Sequence, residues 1–255
     1  RVSINRRRGT AEDTRLYSPL VLSETMEDRS KQLVPTRFCG SVAVPDGDTQ
    51  VTAALADITH VGARQTTGVG AVDILALPAI AREDSIAALQ TRVEAMKQRF
   101  KKQAELYATL GGRDWQPGTI FTVNLLSDAI LYEQGWLPTN EINGEMLEEA
   151  TRTFANNGDV AYQGVKARLI RAFTTTATVG GWNVSWQRPK QTAVATQMGS
   201  VFVFQAADGL SPDDYAALAR LEHDGVGERR AEGYGQVRIC DEFHLLTSLP
   251  SKEAI

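Results

Sequence analysis

The spacing of the apolar residues predicts one long helix in the middle of the chain. Over residues 84–110, apolar side chains recur every three or four positions and therefore share one helical face. They are Ile86, Leu89, Val93, Met96, Phe100, Ala104, Tyr107 and Leu110. We expect this apolar seam to pack on the rest of the protein, with docking to a neighbouring subunit as the weaker alternative. The opposite face carries Lys97, Arg99, Lys101 and Lys102, which we expect to face water rather than an anionic partner.

Shorter apolar or alternating segments follow this helix and predict strands. The predicted strands cover 119–126, 167–176, 200–205 and 236–240, and a helix is predicted at 145–154. A second helix begins after Ser211, a favoured N-cap residue followed by Pro212, and ends at Gly225. The resulting order, β-α-β-β-α-β, is that of a ferredoxin-like fold. The sequence therefore predicts the α+β class.

A glycine and arginine signature occurs twice in the chain. The first copy, G-A-R-Q-T-T-G-V-G-A-V, covers 62–72, and the second, G-E-R-R-A-E-G-Y-G-Q-V, covers 227–237. Both copies read G-x-R-x-x-x-G-x-G-x-V, with every fixed position shifted by the same interval. The first copy is also preceded by a predicted helix at 52–58 and followed by a predicted strand at 71–75. A repeated unit of helix, glycine loop and strand indicates duplicated domains.

Glycines at alternate positions would give these loops a particular chemistry. They let the backbone come close to a partner and turn amide N–H groups outward, a geometry suited to phosphate oxygens. An arginine beside them adds a planar, permanent positive charge. The alternative is that the glycines only make tight turns. The signature is neither the dinucleotide-binding nor the P-loop motif, so a mononucleotide pocket is not predicted.

Composition and charge narrow the picture further. At 255 residues and 42% hydrophobic content, the chain can bury two modest cores or one large one. Its net charge of −4 is unusual for a nucleic-acid binder, but Arg6, Arg7 and Arg8 form a dense basic run. The alternative for this run is a merely solvated basic hairpin. Cys39 and Cys240 lack metal-site spacing, so no metal or cofactor is predicted. Without a signal peptide or membrane span, the cytoplasm is the expected compartment.

Several segments resemble the RAMP superfamily, the ferredoxin-like RNA-binding subunits of CRISPR systems. The second glycine loop before a final strand carries this resemblance, as do V-S-I-N-R-R-R-G-T-A at 2–11, L-Y-S at 16–18 and F-C-G-S-V at 38–42. Segments 121–131, 181–183 and 198–204 are similar to the Csx-ten family of type III-D effectors, a Cas-five-like or Cas-seven-like subunit. The resemblance covers most of the chain, without residues 80–115 and the last ten.

The resemblance implies tandem ferredoxin-like RAMP units. We expect the end of a first unit at 1–79, a linker helix at 80–116 and a complete second unit at 117–248. The first unit is short before its loop, so we expect its N-terminal strand and helix to be missing and another polypeptide to complete its sheet.

The resemblance also implies a non-catalytic subunit that holds the 5′ tag and backbone of the guide crRNA. Its expected partners are the large polymerase-like subunit, the backbone RAMP subunits and, through the guide, target RNA. The two loops and the basic run would grip phosphates without reading bases. The expected RNA-binding residues are Arg6, Arg7, Arg8, Gly62, Arg64, Gly68, Gly70, Gly227, Arg229, Arg230, Gly233, Tyr234 and Gly235.

Two alternatives remain. The chain could be an endoribonuclease that cuts guide precursor or target RNA, or a protein scaffold that does not contact RNA. His60, His223 and His244 lack a recognisable catalytic constellation, and Asp128 is expected to be structural. Trp182, Trp186 and Tyr234 could stack on bases, and Tyr234 is the strongest candidate because glycines flank it.

Overall fold

The computed structural model describes residues 2–5, 10–16, 21–38, 40, 42, 49–62, 68–75, 82–112, 118–183 and 185–246. For 2–5, 10–16, 49, 52 and 82–84 it describes the backbone alone. The chain divides into two compact units, Arg1–Ile74 and Leu75–Ile255. The protein combines helices with antiparallel sheets.

The described residues of the first unit form two small antiparallel ribbons and one helix. Strands β1 (Val2–Asn5) and β2 (Thr10–Leu16) pair with each other, as do β3 (Thr25–Glu27) and β4 (Leu33–Pro35). Helix α1 (Thr49–Ala56) precedes the first glycine loop. The predicted strand at 71–75 was wrong, because only Ala71 forms a bridge, to His60, and no neighbouring strand extends it within the described residues.

The second unit contains the remaining elements. They are α2 (Arg82–Thr109), β5 (Thr119–Leu125), β6 (Leu131–Glu133), β7 (Leu137–Thr139), α3 (Gly144–Thr151), β8 (Thr153–Phe154), β9 (Val160–Tyr162), β10 (Arg168–Phe173), β11 (Thr176–Val179), β12 (Trp182–Asn183), β13 (Arg188–Pro189), β14 (Ala193–Thr196), β15 (Val201–Ala206), α4 (Pro212–Asp224) and β16 (Val237–Ile239). The main sheet has the order β10-β15-β5-β16, with every neighbouring pair antiparallel. With α3 and α4 in the connections, this is the β-α-β-β-α-β order expected for these residues.

One face of the main sheet forms the core of the second unit. Phe121 of β5 and Phe204 of β15 are fully buried and their rings stack at a centroid distance of 5.6 Å. Leu218 of α4 and Leu89 of α2 belong to the same cluster. The apolar seam of α2 is buried as far as Ala104, whereas Tyr107 and Leu110 near its end are exposed. Helix α2 therefore packs on the body of this unit through most, but not all, of its predicted seam.

Two predicted elements have different ends in the structure. Helix α3 ends at Thr151 rather than at residue 154, because the buried Thr151 hydroxyl donates back to Leu147 O and accepts from Val165 N. Residues 153–154 then turn into β8. The predicted strand at 167–176 is divided between β10 and β11, and the second piece begins a long hairpin. We call residues 176–183 and 185–196, which contain β11 to β14, the long hairpin.

Candidate nucleic-acid interface

The second glycine loop follows α4 and is closed at its base by a tight backbone contact. Gly225 ends α4, and the N–H of Val226 donates to Gly235 O at 2.8 Å. Gly235 has a φ of +73°, and a Cβ at this position would overlap the carbonyl of Val226. Gly233 also has a positive φ, +90°, but a Cβ there would meet open space. Close packing therefore requires Gly235, whereas Gly233 is required by backbone conformation alone.

The first glycine loop has the same closure. Val61 N–H donates to Gly70 O at 2.8 Å, and a Cβ on Gly70 would overlap the carbonyl of Val61. Gly62 and Gly68 both have positive φ angles, as their counterparts do in the second copy. Arg64, with residues 63–67, lies outside the described residues. In the described parts of the two copies, the repeated glycines thus have the same backbone geometry.

Residues 127–130, between β5 and β6, connect the second glycine loop to the long hairpin. Ser127 Oγ accepts from Gln236 N, and Asp128 O accepts from Gly235 N. On the other side, the Asp128 carboxylate accepts from Met198 N at 2.8 Å, and Ala129 forms a bridge with Thr196. The carboxylate of Asp128 thus accepts a backbone hydrogen bond, and its structural rather than catalytic role stays a prediction.

The two adjacent arginines of the second loop have different surroundings. Arg229 is in the left-handed conformation, with φ 55° and ψ 32°, and its Nη2 donates to Gln191 O of the long hairpin at 2.7 Å. Its Nη1 is buried without a hydrogen-bond partner. Arg230 is exposed, and its one side-chain hydrogen bond to the described residues is long, at 3.4 Å from Nη1 to Asp224 O. Arg230 therefore has a guanidinium that an anion can reach.

The long hairpin presents aromatic and basic side chains next to this loop. Trp182 and Trp186 are 59% and 76% exposed. Lys190 Nζ pairs with Glu232 Oε2 of the loop at 2.6 Å, and Arg188 is exposed. Tyr234 is half-buried and so projects from the loop less than its flanking glycines suggested. The arrangement combines stacking surfaces with positive charge, which suits single-stranded nucleic acid.

Several of the predicted RNA-binding residues fall outside the part of the chain that the structure describes. Arg6, Arg7 and Arg8 lie outside the described residues, as does Arg64. The sequence indicated the basic character of Lys190, but the sequence reasoning missed Ser127 and Glu232 and recognised neither the ion pair between Lys190 and Glu232 nor the hydrogen bond between Arg229 and Gln191. A local sequence pattern cannot predict these contacts, because each of them joins residues at least 38 positions apart.

The three histidines differ in their local surroundings. His60 and His223 are exposed, and His60 Nδ1 lies 3.0 Å from Thr59 Oγ1. His244 is half-buried against Asn124, with an Nε2 to Nδ2 distance of 2.8 Å. Burial lowers the pKa of the His244 imidazole, nearby Asp241 opposes this change, and Arg99 adds to it.

The part of the chain that the structure describes contains neither a metal-binding cluster nor a membrane-spanning helix. No cluster of three or more His, Cys, Asp or Glu there is arranged to hold a metal ion. Nor does any helix of that part have both the length and the apolar character needed to cross a bilayer.

Fold and site together define an α+β protein with a four-stranded antiparallel sheet and a glycine loop tied to a long hairpin. Residues 82–241 match the family described as CRISPR-associated protein (Cas_Cmr3). This match covers more than half of the chain, which therefore belongs to that family. Membership agrees with the sequence resemblance at the level of a CRISPR-associated, RAMP-like protein with an RNA-related role.

Other comparisons were less informative. The search of curated proteins gave no match. Among solved structures, a Cas6 product complex is similar over 49% of this chain and 52% of its own, with a TM-score of 0.32 and 11% identity. A Cas6 substrate mimic complex is similar over 49% of this chain and 54% of its own, with a TM-score of 0.31 and 12% identity. This chain thus spans about half the length of each.

Proposed function

We propose that the protein is a non-catalytic crRNA-binding subunit of a type III-D CRISPR effector, similar to the Csx-ten family. In this proposal, tandem ferredoxin-like RAMP units hold the 5′ tag and backbone of the guide in the cytoplasm. Its neighbours are the large polymerase-like subunit and the backbone RAMP subunits, and target RNA is reached through the guide. The observation that carries the proposal is the exposed Arg230 on a glycine loop of a CRISPR-associated family member.

The geometry of the loop supports binding to phosphates. The turn at Gly233 is open to solvent, and Arg230 offers donors that are only weakly engaged. A guanidinium can donate two parallel hydrogen bonds to a phosphate, which gives both affinity and orientation. Such contacts position RNA but do not read its sequence, so recognition of target RNA falls to base pairing by the guide.

The long hairpin supports a single-stranded rather than a duplex ligand. Indole rings as exposed as those of Trp182 and Trp186 stack on any unpaired base, and each stacked base contributes about 1–3 kcal/mol. Arg188 lies between these rings and the loop in sequence and adds positive charge. Bases within a continuous duplex do not present free faces to such rings.

The contacts of the acid and base candidates support a non-catalytic role. The Asp128 carboxylate accepts a backbone hydrogen bond from Met198, and its backbone carbonyl fixes the glycine loop. His244 is half-buried against Asn124 of the main sheet. The proposal therefore predicts that replacing Asp128 or any of the three histidines leaves RNA processing by the complex unchanged.

The proposal can be tested by co-expressing the chain with its genomic neighbours and sequencing the RNA that co-purifies. Guide RNA recovered in this way is then labelled and rebound to RNA-free complex at several salt concentrations. Arg230→Ala should weaken binding and reduce the salt slope by roughly 1, as expected for one lost phosphate contact. Lys101→Ala removes the same charge from the exposed face of α2 and should change neither quantity.

Three results would count against the proposal. If no uniform guide RNA co-purifies, the chain is a scaffold. If guide binding is identical for the wild type and Arg230→Ala, the second glycine loop is a structural turn. If purified complex shortens guide precursor or target RNA, and Asp128→Asn or a histidine variant abolishes that cleavage, the endoribonuclease alternative is correct.

A further inference from the structure

Arg229 adopts a backbone conformation that is unfavourable for its residue type. Its φ of 55° and ψ of 32° lie in the left-handed region, which costs a non-glycine residue about 1–2 kcal/mol. The surrounding contacts must offset this cost. The hydrogen bond from Nη2 to Gln191 O, at 2.7 Å, is a charge-assisted contact strong enough to do so. The conformation thus aims the side chain of Arg229 at the long hairpin.

A second contact joins the same two elements. Lys190 Nζ and Glu232 Oε2 are 2.6 Å apart, and their side chains are 26% and 40% exposed. Lys190 N–H also donates to Gly181 O, which connects this contact to the paired strands that carry Trp182. The long hairpin is therefore held to the glycine loop at Lys190 and Gln191, in addition to the bridge between Thr196 at its end and Ala129.

The accessibility of the two arginines separates their roles. Arg229 Nη1 is buried and Nη2 is engaged by a carbonyl, so a phosphate could reach this guanidinium only after the hairpin had moved. Arg230 is exposed and needs no such movement. The repeat signature fits this division, because the position of Arg229 is an arginine in both copies, whereas Arg230 corresponds to Gln65.

We propose that Arg229 is a positioning residue that holds the long hairpin on the glycine loop. Arg230 of the loop and Trp182 and Trp186 of the hairpin then act on one RNA strand as a single site. This inference rests on the proposed function and corrects the expectation that both arginines contact phosphate. Arg229, whose position is an arginine in both copies, holds the parts of the site together, and Arg230, whose position is not, contacts the RNA.

The test compares Arg229→Ala, Arg229→Lys and Arg230→Ala in the co-expressed complex, with two readouts. Hydrogen exchange of residues 176–196, measured without RNA, reports on the attachment of the hairpin. Guide RNA affinity at several salt concentrations reports on phosphate contacts. Arg229→Ala should accelerate exchange and weaken RNA binding, each by about tenfold, with an unchanged salt slope. Arg230→Ala should leave exchange unchanged and lower the slope by roughly 1.

Charge reversal gives a control that does not depend on Arg229. Lys190→Glu and Glu232→Lys should each accelerate exchange of the hairpin, and the double variant should restore the wild-type rate. Arg229→Lys keeps the charge but not the guanidinium geometry, so it should resemble Arg229→Ala in exchange while preserving the fold.

The outcomes separate this inference from the proposed function. If Arg229→Ala leaves hairpin exchange unchanged and lowers the salt slope as Arg230→Ala does, Arg229 is a phosphate ligand and the inference is wrong. If Arg229→Ala loosens the hairpin but neither variant affects RNA binding, the attachment exists without the proposed RNA function. If hairpin exchange and RNA binding both change as predicted for each variant, the result supports the positioning role of Arg229 and the proposed function together.

Discussion

Individual glycines of the repeat have different structural requirements, although the sequence does not distinguish them. At Gly235 a Cβ would overlap the Val226 carbonyl, and the φ of +73° is unfavourable for any other residue. At Gly233 the φ is also positive, but the space is open. Positive φ alone costs alanine about 1–2 kcal/mol, whereas a backbone clash adds a forced displacement of the chain.

We therefore expect Gly235→Ala to destabilise the protein by on the order of 3 kcal/mol or more, and Gly233→Ala by about 1–2 kcal/mol. Urea unfolding of the two variants beside the wild type measures the difference. Equal losses of stability would show that the contact between Gly235 and Val226 can relax without cost.

The half-buried His244 predicts a pH dependence at the residue scale. Burial lowers the pKa of its imidazole below the usual 6.5, so the unfolded chain binds its proton more tightly than the folded chain. Its contribution to stability is therefore complete above pH 6.5 and declines as the pH falls from 6.5 towards the lowered value. His244→Gln keeps a polar group beside Asn124 but cannot titrate.

Thermal unfolding of both proteins from pH 8 to pH 5 tests this prediction. The wild type should lose more stability than His244→Gln between about pH 6.5 and pH 5. Parallel curves for the two proteins would mean that protonation of His244 is not linked to folding.

At the scale of elements, two helices close the outer edge of β16. Ile239 of β16 pairs with Val123 of β5. Its N–H donates to Glu222 Oε1 of α4 at 2.7 Å, and its carbonyl oxygen accepts from Arg92 Nε of α2 at 3.0 Å. Arg92 and Glu222 also pair at 2.6 Å, with side chains only 6% and 11% exposed. Covering an edge strand in this way satisfies backbone groups that would otherwise invite pairing with another chain.

Breaking this buried pair from one side should be costly. Arg92→Ala would leave Glu222 buried without its main partner, and we expect a loss of about 3–5 kcal/mol in the free energy of unfolding. The double variant Arg92→Met with Glu222→Met removes both charges and should be less destabilised than Arg92→Ala. A double variant that loses more stability than Arg92→Ala would argue against an unpaired charge as the cause.

The elements show how far sequence reasoning extends. Periodicity located α2 within two residues of its start and one of its end, and capping residues located α4, because these signals are local. The sequence-based prediction was wrong for 71–75, because this alternating segment has no partner strand within the described residues. It was also wrong for the end of α3, which lies at Thr151. Both outcomes depend on distant contacts, which a local pattern does not contain.

The candidate site was predictable to a similar extent. The repeat identified the two glycine loops, and α4 and β16 place the second loop beside β5. The roles of Arg229 and Arg230 were not predictable, since their difference depends on Gln191 and on the course of the long hairpin. The sequence therefore indicated which loops to consider, but it could not distinguish the role of Arg229 from that of Arg230.

At the scale of the whole molecule, the two units differ in how much they bury. The core cluster belongs to the second unit, whereas none of the residues of the first unit whose side-chain burial is described is buried. Leu22, Leu33 and Phe38 are 78%, 70% and 74% exposed. Since burial of apolar surface is the main favourable term in folding, the second unit should be much more stable than the first.

This difference predicts how the chain responds to a protease. In the isolated protein, trypsin should cut after the exposed Arg29, Lys31 and Arg37 long before it cuts within 118–246. If the exposed apolar residues of the first unit contact the other Cas subunits of the proposed effector, co-expressed complex should protect those three sites. Mass spectrometry of timed digests identifies the cuts. Equal resistance of both units in the isolated protein would show that the first unit is stable by itself. Rapid cutting at the three sites in the complex would show that the neighbouring subunits do not bind the apolar surface of the first unit.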